Sequence, residues 1–354
     1  MKIILDCDLM RYPNSGLYYY CLNLGNSVQK AFEETSDIKM GYYIPTPETN
    51  VFARKENSII ERKYHKFLKP FLWNCRIWHA PFQSGRMIPD KRKNRNIKIL
   101  LTVHDLNSLH EGRSIEEQRK SLMNTQRLID DSDAIVCISE FTRNDVLKNC
   151  NVGQKPVYVI YNGANDFKAP ALNASSYHPR RPFLFGIGYV NQKKNYHVLL
   201  ALLKVQEDLE LLIAGRLDEP DYILDMQLSA KKWGVEERLR LLGPITENEK
   251  SWYMSNCHAF MHPSKAEGFG LPVVEAMSFG KPVFISQLTS LPEIGGDAAF
   301  YFSSFEESHM QLTFHEGMQR YTREDMSAVL KSRSREFSWK ISASKYINVY
   351  KSLF

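Results

Sequence analysis

No stretch of 18 residues is uncharged and apolar throughout, which argues against a membrane-spanning helix. The cysteines at 7, 21, 75, 137, 150 and 257 form no CxxC pair, so the common zinc and thioredoxin-type spacings are excluded. Most lie inside apolar strand or helix patterns, as reduced, packed thiols of a cytosolic protein do. His104-Asp105 suggests half of a hydrolytic triad, but no GxSxG elbow accompanies it. Gly186-Ile-Gly188 starts like a dinucleotide fingerprint, yet Asn191 stands at the third glycine position, which weakens a dehydrogenase reading. Internal repeats, low-complexity tracts and aromatic-basic RNA motifs are also missing, so nucleic acid is not an expected partner. Nothing resembles a secretory signal, because Ile3-Ile4-Leu5 stops at Asp6 and reads as a first strand.

What is present is ordinary for a globular protein: 354 residues, 43% hydrophobic and 24% charged, a length that suits two domains. The net charge of +6 favours anionic partners such as nucleotide phosphates or an acidic membrane face. It is concentrated in KYHKFLKPFLWNCRIW (63–78), where cations alternate with Phe and Trp, and in DKRKNRNIK (90–98), with five basic residues. The plain reading is a solvated face and a basic turn. The sharper one is a patch resting on anionic lipid, each cation adding about 1 kcal/mol.

Apolar runs alternate with helical patterns along the chain. Strands are expected at 2–7, 39–44, 76–79, 98–103, 134–138 and 157–161, and in a second series at 183–187, 210–214, 239–242, 258–261 and 282–285. Helices are expected at 17–32, at 115–129 behind a Ser114-x-x-Glu117 capping box, at 140–148 behind Ser139, and after Thr246-x-x-Glu249. FKAPALNASSYHPRR (167–181) has no periodicity and reads as a linker. The expectation is an α/β protein of two doubly wound parallel-sheet domains, 1–166 and 182–337, with ligands at the carboxyl ends of the strands.

The most informative stretch is HPSKAEGFGLPVVEAMSFGKP, residues 262–282. A strand ends there, Pro272 marks a helix start, and Gly280 suits a left-handed stop after a helix over 272–279. Amides of Gly268, Phe269, Gly270 and Leu271 lie at that helix N-terminus, a ready anion site. Glu267 and Glu275 flank it eight residues apart, where carboxylates accept hydrogen bonds from hydroxyls. A phosphate between two hydroxyl-bearing groups describes a nucleoside diphosphate sugar.

This stretch resembles the signature of glycosyltransferase family 4, the retaining enzymes of the GT-B fold. The likeness continues, in order, through NSGLYYYCLNL (14–24), LLTVHDLNSLH (100–110), VCISEFTRNDV (136–146), VIYNGAN (159–165), GIGYVNQKKNYHVLLAL (186–202), LLIAGR (211–216) and SLPEIGGDAAFYF (290–302). The last segment, FSWKISASKYINVYKSLF, resembles the family's final helix, about 338–354, which packs back on the N-terminal domain.

The resemblance implies two Rossmann-like domains facing across a cleft, the first binding acceptor and the second the nucleotide sugar. Glu267 would contact the transferred sugar and support the transition state, and Glu275 would bind ribose hydroxyls. Lys194 falls at the diphosphate-binding lysine, and the amides of 268–271 would hold sugar and diphosphate. His104 would face the sugar from the N-terminal domain, and Gly16 would let the first loop pass close to the donor. One departure stands out: many members carry Arg after the glycine of the phosphate motif, where this chain has Tyr189. Lys193 is then expected to share the diphosphate with Lys194, and Arg216 is a further candidate. Asp6-Cys7-Asp8 reads as the DxD metal motif of the other large glycosyltransferase fold, but no metal and no cofactor is expected here. The reading is a cytosolic hexosyltransferase, peripheral at the inner face of the membrane. It uses GDP-mannose or a UDP-sugar, leans to the bacterial mannosyltransferase-like branch, and has a glycan or lipid-linked acceptor of surface polysaccharide synthesis. The rivals are a sugar-nucleotide epimerase or phosphorylase of the same fold, and a non-catalytic partner.

Overall fold

The computed structural model describes residues 2–13, 15–33, 39–53, 58–69, 72–84, 87–164 and 175–354. The chain divides into two compact units, one of residues 1–163 and 337–354, the other of residues 164–336. Most of the expected linker, 167–174, lies outside the described residues.

The first unit alternates strand and helix: β1 (Lys2–Asp6), α1 (Gly16–Glu33), β2 (Lys39–Ile44), β3 (Ser58–Ile60), β4 (Cys75–Ala80), β5 (Lys98–Val103), α2 (Ile115–Asp131), β6 (Ala134–Cys137), α3 (Glu140–Asn149) and β7 (Val157–Val159). Its seven described strands order as β3-β2-β1-β4-β5-β6-β7, every pair parallel. Strands buried on both faces explain runs such as KILLTV, whose hydrophobicity does not alternate. Ser114 and Glu117 close the reciprocal cap that opens α2, and the Ser139 side chain accepts the Thr142 amide at the start of α3.

The second unit runs β8 (Phe183–Ile187), α4 (Leu200–Val205), β9 (Glu210–Ala214), α5 (Pro220–Lys232), β10 (Leu239–Gly243), α6 (Glu247–Asn256), β11 (Ala259–His262), α7 (Leu271–Ser278), β12 (Val283–Ser286), α8 (Leu291–Gly295), β13 (Phe300–Phe302), α9 (Glu307–Arg323) and α10 (Met326–Ser334). Six described strands order as β10-β9-β8-β11-β12-β13, again all parallel. The short edge strands β3 and β13 have no counterpart in the sequence reading, because three residues are too few to carry a period.

Each sheet starts at an inner strand, grows to one side, then resumes on the other. The order reverses between β1 and β4 in the first sheet and between β8 and β11 in the second. At such a switch point neighbouring loops diverge and leave a crevice at the carboxyl ends of the strands.

The last helix, α11 (Trp339–Ser352), belongs to the first unit. It docks through hydroxyls as well as apolar surface. Tyr346 OH and Tyr20 OH are 2.6 Å apart, and Tyr350 OH lies 2.7 Å from His79 Nδ1, whose Nε2 meets Thr102 Oγ1 at 2.8 Å. Burial pushes the His79 pKa down to about 3, so the ring stays neutral and shares both nitrogens with hydroxyls. Tyr350→Phe is expected to cost about 1–3 kcal/mol, the penalty for an orphaned buried polar atom. Urea denaturation reads this, and an unchanged midpoint would mean that the bond does not hold α11 in place.

Candidate active site

The crevice between β8 and β11 collects the charged residues of the motif. After β8 the chain turns through 188–195, and after β11 through 263–270; Lys265 N donates to Lys193 O at 2.8 Å and ties the two loops together. Gly270 caps α7 with φ of +99°, and a Cβ there would sit 2.7 Å from Leu291 Cδ2, so only glycine makes this turn without strain. The helix starts at Leu271 with Pro272 second, one residue earlier than expected, and Gly280 follows it with φ of +69°.

Glu267 is the focus. Its Oε1 accepts from Lys194 Nζ at 2.5 Å, His262 Nε2 at 2.9 Å and Ser264 Oγ at 2.6 Å. Burial alone would raise its pKa. The Lys194 charge and the His262 hydrogen bond outweigh that and hold the carboxylate well below its usual range. The backbone is fixed equally firmly. Glu267 N donates to Thr289 Oγ1 at 2.9 Å, Ser290 Oγ donates to Glu267 O at 2.9 Å, and Ser286 Oγ donates to Ser264 O at 2.5 Å. Thr289 adopts φ of +52°, a genuine outlier for a β-branched residue, which costs about 1–3 kcal/mol and is sustained by those bonds.

His262 is fully buried, and burial together with the Lys194 charge lowers its pKa. Since a carboxylate only accepts, Nε2 carries the proton, and Nδ1 is a buried lone pair with no partner among the described residues. Neither His262 nor Ser264 was assigned a role from the sequence. Both prove to be direct partners of Glu267. The available signal was their spacing, three and five residues before the glutamate at a strand's end.

Glu275 lies deeper in α7, with its Oε1 3.1 Å from Lys250 Nζ, which also reaches Glu247 Oε2 at 2.8 Å. Burial raises the Glu275 pKa and Lys250 only partly offsets it. Lys250, from α6, was not foreseen.

Gly16, His104 and Asp8 belong to the first unit. Gly16 is the first residue of α1, and a Cβ there would meet no atom within 4 Å. His104 follows β5. Its Nε2 donates to Pro81 O at 2.7 Å, leaving Nδ1 as the acceptor, and burial lowers its pKa to about 4. The ring meets the edge of Tyr20 at 4.6 Å. His104 is therefore a neutral hydrogen-bonding group rather than a cation. Asp8 of the DxD pattern is paired with Arg11, which also reaches Glu61 at 2.8 Å.

Two family models match the chain: "Glycosyltransferase Family 4" over residues 43–166 and "Glycosyl transferases group 1" over residues 173–312. Among curated proteins, O-antigen chain mannosyltransferase B of Escherichia coli is 25% identical and aligns over all of both chains. O-antigen chain mannosyltransferase RfbU of Salmonella typhimurium is 24% identical over 60% of this chain and 58% of its own. Among solved structures, a sucrose-phosphate synthase from Thermosynechococcus elongatus superposes with a TM-score of 0.78 at 17% identity, covering 100% of this chain and 99% of that one. HepE from Anabaena, in complex with UDP-glucose, gives 0.76 at 15% identity over 99% and 100%. Together with the two parallel sheets and the glutamate-centred crevice, these matches make the chain a glycosyltransferase of family 4 with the GT-B fold.

Proposed function

We propose that the chain is a retaining hexosyltransferase that uses a nucleoside diphosphate sugar, with the donor held at the β8–β11 crevice. The observation that carries this reading is the ionised Glu267 clamped beside Lys194 at the N-terminus of α7. Lys193, Lys194 and the amides of Gly268, Phe269, Gly270 and Leu271 bind the diphosphate and meet the negative charge that grows as the C1–oxygen bond breaks. They do so without a divalent metal. Glu267 accepts hydrogen bonds from the hydroxyls of the transferred sugar through its outer face and stabilises positive charge at C1. Glu275 accepts from the ribose hydroxyls. The acceptor oxygen attacks C1 on the face the phosphate leaves, and its proton passes to the departing phosphate oxygen, so the anomeric configuration is retained. The names of the relatives support mannose as the sugar and a surface polysaccharide chain as the acceptor. The UDP-glucose complex of HepE supports a nucleotide sugar as donor.

Glu267→Ala is expected to reduce transfer at least a thousandfold, about 4 kcal/mol of transition-state stabilisation, with nucleoside diphosphate affinity changed less than threefold. Proton NMR of the wild-type product should show the donor's anomeric configuration. Transfer surviving in the variant would remove Glu267 from the chemistry, and an inverted product would remove the same-face mechanism.

A lipid-linked acceptor fits a second feature. Tyr64, Phe67, Leu68 and Trp73 are exposed by 54, 91, 64 and 85%. Among them stand the exposed cations Arg62, Lys63, Lys66 and Arg76. Residues 70 and 71 of this segment lie outside the described residues. The 90–98 segment is a poorer candidate, since Lys91 and Lys98 pair with Asp133, and Arg92 pairs with Asp90. No helix among the described residues is long and apolar enough to cross a membrane. We therefore assign the described residues 62–69 and 72–76 as a peripheral contact with an anionic bilayer at the cytoplasmic face. The double variant Phe67→Ser/Trp73→Ser should lose cosedimentation with phosphatidylglycerol vesicles while keeping activity on a soluble acceptor. Undiminished cosedimentation would place the membrane contact elsewhere or abolish it.

A further inference from the structure

The donor crevice proposed above offers a diphosphate two lysines, Lys193 and Lys194. A diphosphate carries two negative charges in the bound sugar nucleotide and gains more as it leaves, whereas Lys194 is already committed to Glu267 at 2.5 Å. The residue that follows Gly188 in the phosphate loop is the uncharged Tyr189. We infer that Arg216, from the neighbouring loop after β9, supplies the missing guanidinium to the donor diphosphate. This rests on the donor site proposed above.

Three observations carry it. First, the loops after β8 and β9 are joined backbone to backbone. Gly188 N donates to Ala214 O at 2.9 Å and Val190 N donates to Arg216 O at 2.8 Å. Gly215, at φ of +132°, passes so close that a Cβ there would lie 1.9 Å from Gly188 O. Position 216 is thereby locked beside position 189 at the carboxyl edge of the sheet. Second, the Arg216 guanidinium lies over the Tyr189 ring, 5.4 Å from its centre, so the ring holds the charge beside the loop after β8. Third, its pairing with Asp218 is weak. Nε donates to Asp218 Oδ1 at 3.0 Å in a pair whose arginine side chain is 64% exposed. Such surface pairs contribute little, so a diphosphate outcompetes the aspartate and takes two parallel N–H bonds from the planar fork.

The test measures affinities of GDP, UDP and inorganic pyrophosphate by calorimetry at low and high salt, in wild type, Arg216→Gln, Tyr189→Arg/Arg216→Gln and Lys194→Ala. Arg216→Gln should weaken the best-bound nucleoside diphosphate and pyrophosphate about tenfold, the loss of one charge-assisted contact. It should flatten the salt dependence and leave the melting temperature of the free protein unchanged, because the side chain is at the surface. The double variant should return affinity to within about threefold of wild type, since its new arginine enters the same space. If Lys194→Ala weakens binding but Arg216→Gln does not, the donor site stands and Arg216 is only a surface ion pair. A double variant as weak as Arg216→Gln overturns the claim that 216 substitutes for 189. If none of the variants alters binding, the donor site is elsewhere and the inference falls with it.

Discussion

Three donors converge on one oxygen of Glu267, and the second unit is arranged around that convergence. Lys194 comes from the loop after β8, His262 from the end of β11, and Ser264 from the turn before α7. They reach a common point because the strand order reverses between β8 and β11, which opens a crevice there. A carboxylate so surrounded stays ionised despite its burial and keeps its second oxygen for other partners. The strained Thr289 and the hydroxyls of Ser286 and Ser290 fix the loop from behind, so the charge is oriented before any ligand arrives.

The two glutamates that flank the turn illustrate how environment separates identical side chains. Lys194 and His262 depress the pKa of Glu267, whereas burial raises that of Glu275 against the pull of Lys250. The linkage to stability has opposite sign. A depressed carboxylate adds stability above its ordinary pKa of 4.5, and that is lost as pH falls through the depressed value. A raised one favours the folded state most in acid and loses that contribution as pH rises through the raised value. Mild acid therefore removes Glu275's charge first and leaves the Glu267 cluster intact.

Much of this was legible before folding. Periodicity and caps placed the helices behind Ser114, Ser139 and Thr246, and the strand series predicted two parallel sheets. Pro272 and Gly280 framed α7 to within a residue. The illegible part consists of contacts between segments remote in sequence. Lys250 meets Glu275 only because α6 packs near α7, and Thr289 meets Glu267 N across 22 positions. His262 lies only five residues from Glu267, yet one sequence does not show which atom its ring faces. Arg216 gains its significance from Gly215, whose close approach to Gly188 is a fact of sheet geometry and not of local pattern. The edge strands β3 and β13 were too short for any period to emerge.

Every role proposed for Glu267, Lys194 and Glu275 requires the donor to bind in the crevice between β8 and β11. The most direct measurement is a thermal-shift panel of GDP, UDP, ADP and dTDP on the wild-type chain and Lys194→Ala, each in EDTA and in magnesium. A diphosphate at a hundred times its dissociation constant adds about 2.7 kcal/mol of stability. One nucleotide should raise the wild-type midpoint equally in EDTA and in magnesium, and the rise should shrink or vanish in Lys194→Ala. A shift that survives intact in that variant, or appears only with magnesium, would contradict a metal-free donor site centred on Glu267 and Lys194.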